Sequence, residues 1–280
     1  MKRYFLFLIS VFFVCNVYAE GVVLSETSVA EEEPLYTSSN SSSVSKSEQL
    51  MSEQIGSANP SLVSNDSSDP LFLVSENQFL SDTSLFYVDD KMRLGQYFGY
   101  GVNNRLMLHA NMVYQIDFSG HEEYGFSSTE FGADYRLTDG AFSKSHIIAD
   151  ALFGLKLWGS SHVRTPEYAD SSYYAGLRFG RQFFGMTLSG TVKSTWVFDD
   201  ERGVSYIDFI PEAYFRFKYD WRAGVGFDLR KSTNRYLLEN QEWLNFKLLR
   251  QYGNTQYVGH FDYEFESNEI QIGADVKILF

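Results

Sequence analysis

Histidines, the side chains that most often do acid–base chemistry near neutral pH, are few and scattered in this chain. There are five histidines, His109, His121, His146, His162 and His260. A serine hydrolase needs a nucleophile, a base and an orienting group that converge on one place. His121 with Glu122-Glu123, and Ser160-Ser161-His162, come nearest to that requirement. Neither spacing is distinctive, and exposed connection residues are the plainer account of both. Asp199-Asp200-Glu201 offers oxygen ligands of the kind Ca²⁺ takes, without the spaced ligands of an EF-hand, so a solvated acidic stretch is the plainer account there too. No glycine-rich phosphate loop or zinc-ligand spacing occurs, and no metal or cofactor is expected.

Charge is what the chain carries in quantity, and the spacing of that charge is informative. Arg105, His109, Asn111 and Gln115 alternate with Leu106, Leu108, Ala110, Met112, Tyr114 and Ile116. Asp150, Gly154 and Lys156 alternate with Ile147, Ala149, Ala151, Phe153, Leu155 and Leu157. Arg222, Gly224, Gly226, Asp228 and Arg230 alternate with Trp221, Ala223, Val225, Phe227 and Leu229. Successive side chains of a β-strand point to opposite faces, so each segment has one apolar and one polar face.

After Pro70 the period stays at two, and about twelve strands are expected. They fall at 78–88, 92–102, 105–116, 126–137, 146–158, 172–183, 186–198, 206–217, 221–230, 242–252, 255–265 and 269–280. The first has mixed parity. Pro211 lies inside the eighth and removes a ladder hydrogen bond, so a bulge or break is expected there. Connections alternate in length. Asn103-Asn104, Phe184-Gly185, 218–220 and Gly253-Asn254 are short, with a longer one around Asp139-Gly140, whereas 117–125, 159–171, 199–205 and 231–241 are longer and polar.

The short turns set the pairing of the polar faces. A hairpin about Phe184-Gly185 puts Gln182 opposite Thr187 and brings Arg178 near Lys193 on the diagonal. One about Tyr219 puts Arg216 opposite Arg222, Tyr214 opposite Gly224 and Asp208 opposite Arg230. One about Gly253-Asn254 puts Lys247 opposite His260, beside Asp275 on the last strand. Two arginines face to face are unfavourable unless an acid or an anion lies between them. Glu212 is the acid expected there. Two arrangements are open: a ladder of ion pairs that satisfies itself, or a basic wall that draws anions and faces an acidic one. Tyr214 over Gly224 reads as a ring covering a gap. Tyr97, Met107, Leu152, Trp158, Tyr174 and Trp243 share the polar parity and are candidates to fill the interior.

Ahead of the strands, Lys2 and Arg3, the apolar run from Phe5 to Val14, and Val17-Tyr18-Ala19 form a secretory signal with cleavage after Ala19. The sole cysteine, Cys15, lies inside it, and Val14 is not the small residue that lipid attachment needs. Residues 20–70 are serine-rich, lack Phe and Trp after Gly21, and are expected to be a disordered periplasmic arm. A capping box at Ser45 and Glu48 leads into Leu50, Met51 and Ile55, the makings of one short helix. A linker is the plain reading of this arm; a plug or a tether is the sharper one. No run of apolar residues outside the leader is long enough for a membrane helix. A net charge of −13 argues against nucleic acid as a partner. The load of 19 Tyr and 25 Phe suits rings placed at membrane interfaces.

The closing segment has Ile270, Ile272, Ala274, Val276, Ile278 and Phe280 on one face and Gln271, Gly273, Asp275 and Lys277 on the other. It is as long as a tilted membrane strand, roughly 9–11 residues. An alternating last strand that ends in Phe resembles the terminal strand of bacterial outer-membrane β-barrels. The resemblance is to a class. It implies an all-β protein, a transmembrane antiparallel β-barrel of about 12 strands over residues 71–280. It also implies outer-membrane lipid around the barrel and a barrel-assembly machinery that recognises Phe280. A soluble barrel would turn its apolar face inward, whereas a barrel in lipid turns it outward and must close. The implied activity is a narrow passive channel or transporter for small polar solutes. Arg178, Lys193, Arg216, Arg222 and Lys247 would bias its lumen toward anions, with Glu212, His260 and Asp275 also lining it. A lipid hydrolase using His121 or His162 at the outer rim, and a non-conducting structural or surface-binding barrel, are the alternatives.

Overall fold

The computed structural model describes residues 66–118, 124–139, 146–159, 171–183, 185–198, 205–217, 220–233 and 240–280, without the side chain of Trp158. Twelve strands run through them: β1 (Phe79–Val88), β2 (Lys91–Asn103), β3 (Leu106–Asp117), β4 (Tyr124–Asp139), β5 (Ile148–Trp158), β6 (Ser172–Phe183), β7 (Met186–Val197), β8 (Ser205–Arg216), β9 (Trp221–Ser232), β10 (Gln241–Tyr252), β11 (Thr255–Glu264) and β12 (Ile270–Leu279). Each pairs antiparallel with its chain neighbours, and β1 pairs with β12, so the sheet closes on itself. The leader, the arm to residue 65, the Ser45 capping box, His121, His162 and the 199–201 acids lie outside the described residues.

In the closed sheet the alternation turns the apolar side chains outward. Leu85, Phe131, Phe153, Leu177, Phe246 and Leu248 are exposed along the middle of the outer wall. Tyr87, Tyr124, Tyr173 and Trp196 ring the end that carries the longer connections. Tyr100, Tyr135, Trp221, Tyr252 and Tyr257 ring the end with the short turns. An apolar band between two aromatic girdles is the surface a barrel presents to a bilayer, where rings sit at the headgroups. Arg250 extends over the Trp221 and Tyr252 rings at 5.4 and 4.5 Å, its charge toward the turn-end interface.

The mixed parity of β1 has a specific cause. Ser81 and Thr83 lie on its outer face, where the Thr83 hydroxyl donates to Gln96 Oε1 at 2.8 Å and Gln96 Nε2 donates to Ser81 Oγ at 3.2 Å. Three polar groups on the lipid side thus satisfy one another, as hydrocarbon requires. The turn from β1 to β2 is two residues, Asp89 and Asp90, both at positive φ (41° and 58°), which matches the twist of a tight hairpin. Pro211 on β8 interrupts the ladder. Pairing with β9 runs from Tyr206 to Phe209 and resumes at Glu212 in the same register, so the irregularity is a break without a bulge.

The seam is closed at its end by the last residue. Phe280 N–H donates to the Phe79 carbonyl at 2.8 Å, and Phe79 N–H donates back to the Phe280 carbonyl at 3.1 Å. The two rings lie 6.2 Å apart, with Phe98 stacked on Phe79 at 5.6 Å.

Candidate functional site in the barrel lumen

Registers across the tight turns place the polar side chains as the hairpin arithmetic expects. Gln182 is opposite Thr187, Arg216 opposite Arg222, Tyr214 opposite Gly224, Asp208 opposite Arg230, and Lys247 opposite His260. Register does not settle what each charge touches, because inward glycines let side chains reach over a strand to the next one. Lys247 on β10 crosses β9 at Gly224 and Gly226 to pair with Glu212 on β8 at 2.8 Å. Tyr174 on β6 lies over Gly154 of β5 and donates its hydroxyl to Glu130 on β4 at 2.9 Å. His109 covers Gly132 and lies 3.4 Å from Asp134, with Tyr97 stacked on its other face at 5.5 Å.

The remaining pairs complete a charged wall. Asp150, fully buried, accepts from Arg136 Nε at 2.8 Å and Arg178 Nη2 at 2.7 Å, and Arg178 also reaches Asp134 at 3.4 Å. Asp208 is shared by Arg230 at 2.7 Å and Lys193 at 3.6 Å, with Lys193 also over the Tyr174 ring. His260 meets Asp275 at 2.6 Å, and Lys277 meets Asp82 at 3.3 Å. Each of these pairs joins adjacent strands or strands one removed, so the charges follow the wall and do not bridge the axis. The self-satisfying ladder is the arrangement seen, and Arg178, Lys193 and Lys247 each hold a carboxylate. The register puts Lys193 on the diagonal from Arg178 as expected, and each of the two pairs with an acid.

Glu212 is not the acid between Arg216 and Arg222. It is held by Lys247 across the glycine gap, and the gap between the arginines is filled from outside the sheet. Residues 66–78 run across the turn-end mouth as a strap before entering β1. Asp66 accepts from the Tyr214 hydroxyl at 2.7 Å, Gln256 Nε2 at 3.1 Å and Arg216 Nε at 3.3 Å, with Arg222 Nε at 3.4 Å. Asp69 accepts from the Thr187 hydroxyl at 2.6 Å and pairs with Arg216. Ser67 and Ser68 donate to Gln256 Oε1 at 2.9 and 2.7 Å. Arg136 donates to the Leu71 carbonyl at 2.6 Å, and Arg178 to the Phe72 carbonyl at 3.5 Å. Beyond that, Phe72, Leu73 and Val74 pack with Leu80, Met107 and Leu279. The backbone at Val74–Ser75 crosses Gly101 of β2 so closely that a Cβ there would meet its carbonyls. Residues 66–70, part of the arm by composition, thus make ordered contacts with the barrel wall. The sequence signal that survives is the pair of aspartates, two acids placed where the hairpin puts two unaccompanied arginines.

Toward the loop end the lumen opens into a polar cavity of about 250 Å³. Arg93 and Lys156 enter it from β2 and β5, and Asp228, Trp243 and Asp262 from β9, β10 and β11. Trp243 therefore lines the open space, while Tyr97, Met107 and Tyr174 are engaged with the wall.

No family model matches the chain, and no curated protein matches it. Several solved structures share its fold. The KdgM porin in complex with disordered oligogalacturonate aligns over 71% of this chain and 98% of its own, at 15% identity and a TM-score of 0.54. The NanC porin aligns over 71% of this chain and 98% of its own, at 9% identity and a TM-score of 0.55. An outer membrane channel from Pseudomonas putida F1 aligns over 74% of this chain and 97% of its own, at 7% identity and a TM-score of 0.53. At these identities the likeness concerns the fold: the chain has the closed β-barrel fold of porin-like bacterial outer-membrane proteins.

Proposed function

We propose that this protein is a narrow passive channel of the bacterial outer membrane for small polar solutes, anionic ones among them. The observation that supports this reading is the wall itself. Its ion pairs run from strand to nearby strand, leaving a polar cavity of about 250 Å³ on the loop side where an apolar plug could have filled the barrel. Twelve strands also lie between the side-chain-filled barrel of eight and the open porin of sixteen. Two of the structural neighbours are porins, and one was solved with oligogalacturonate.

In this reading the short turns, including Gly185 and Gly253, face the periplasm and the long connections face outward. Membrane lipid surrounds the aromatic girdles, and the exposed Phe280 at the seam is the mark read by the barrel-assembly machinery. The strap supports a second reading, a non-conducting barrel that works through its loops or its arm, because it occupies the turn-end mouth. Single-channel recording from the refolded full chain in a planar bilayer separates the two. Discrete steps, with a reversal potential in asymmetric KCl, are expected of the channel. Silence from folded, heat-modifiable protein would sink the channel and leave the second reading.

A further inference from the structure

The strap has two unlike halves. Its C-terminal half is an apolar anchor, Phe72, Leu73 and Val74, continuous with β1. Its N-terminal half is held by two carboxylates, buried to 4% and 3% exposure at Asp66 and Asp69. Four strands contribute to their cradle: Thr187 from β7, Tyr214 and Arg216 from β8, Arg222 from β9 and Gln256 from β11. Thr187, Tyr214 and Gln256 are each at most 2% exposed with the strap seated on them, so every donor of the cradle is turned to the strap's acids and away from water. Without the strap, Arg216 and Arg222 would face each other across a hairpin with like charges directly opposed. The wall is therefore built around carboxylates, and the chain supplies its own.

We propose that this cradle is a carboxylate-binding site, occupied here by Asp66 and Asp69, and that a solute with two carboxylates displaces the acidic half of the strap and opens the turn-end mouth. The exchange is physically balanced. An incoming carboxylate makes the same charge-assisted hydrogen bonds that the leaving one gives up, so neither arginine need stay buried and unpaired. What the strap adds is tethering, which holds its acids at an effective concentration in the millimolar range, and a free solute must exceed that to compete. The apolar half stays in place, so the movement is a swing of residues 66–71 about the Phe72–Val74 anchor. The opening step rests on the channel reading; occupation of the cradle does not.

The test follows the strap and the current separately. In the full chain in lipid nanodiscs, hydrogen–deuterium exchange reports the amides of Asp69, Leu71 and Phe72, which are hydrogen-bonded within the strap. Succinate at about 100 mM, well above the tether's effective concentration, is expected to speed their exchange by roughly tenfold or more. Sodium chloride of equal ionic strength should not, and β12 amides should stay slow. The double variant Asp66→Asn, Asp69→Asn is expected to exchange fast without succinate. The wild-type titration stands by itself if that variant fails to fold. Slow strap exchange that succinate leaves unchanged would overturn the proposal, even in a protein that conducts. Fast exchange with succinate but no current in any form would uphold the site and end the channel reading.

Discussion

Tyr214 is 2% exposed and gives its hydroxyl to Asp66 while its ring covers Gly224. Tyr214→Phe keeps the ring and removes one donor from a buried carboxylate, a loss of about 1–3 kcal/mol. We expect a lower midpoint of heat-modifiability with the barrel otherwise unchanged; an unaltered midpoint would mean that the remaining donors to Asp66 suffice. Lys247 and Glu212 allow a second test at this scale. Because Lys247 holds Glu212, neutralising the lysine also leaves a lumen carboxylate uncompensated. Lys247→Gln leaves Glu212 without its 2.8 Å partner, so the reversal potential in asymmetric KCl should move toward cation preference. A move toward anion preference would contradict the ion-pair account of the wall.

Among the elements, the glycine gaps decide which strands communicate. Gly154 has no side chain where Tyr174 crosses β5, and any Cβ would strike the ring. Gly154→Leu is expected to expel Tyr174 from Glu130 and to change the conductance step while the far-UV circular dichroism of the barrel persists. Gly101 plays the same part for the strap, since its missing Cβ is where the Val74–Ser75 backbone passes. The seam depends on the end of β12. Removing Phe280 deletes two backbone hydrogen bonds to Phe79 and one ring contact at the seam. Refolding into lipid vesicles should become slower and less complete, read as the fraction of heat-modifiable protein with time. Unchanged refolding kinetics would take the seam contact out of the assembly step.

For the whole molecule, an apolar band between two aromatic girdles and a wall of paired charges are two sides of the same alternation. Shifting any strand by one residue would exchange them, which is why register is so strongly specified. Local pattern carried most of this. A period of two, two-residue turns and the parity of Ile270 to Phe280 are properties of neighbouring residues. They sufficed for the number of strands, for the split into an apolar and a polar face, and for the pairing of Arg216 with Arg222 and Lys247 with His260. The contacts of those charges needed the closed barrel. Asp66 and Arg216 are 150 residues apart in the chain, and no local period links them. Glu212 is the acid expected between the arginines, yet two inward glycines on β9 leave open space across which Lys247 and Glu212 meet. Residues 66–70 look like a polar arm by composition, since composition counts apolar surface and ignores two carboxylates that meet buried arginines. Strand order and face were set by the sequence through short-range geometry. Which acid meets which base, and what crosses the mouth, was decided by closure of the sheet, because only closure brings distant segments within hydrogen-bonding reach.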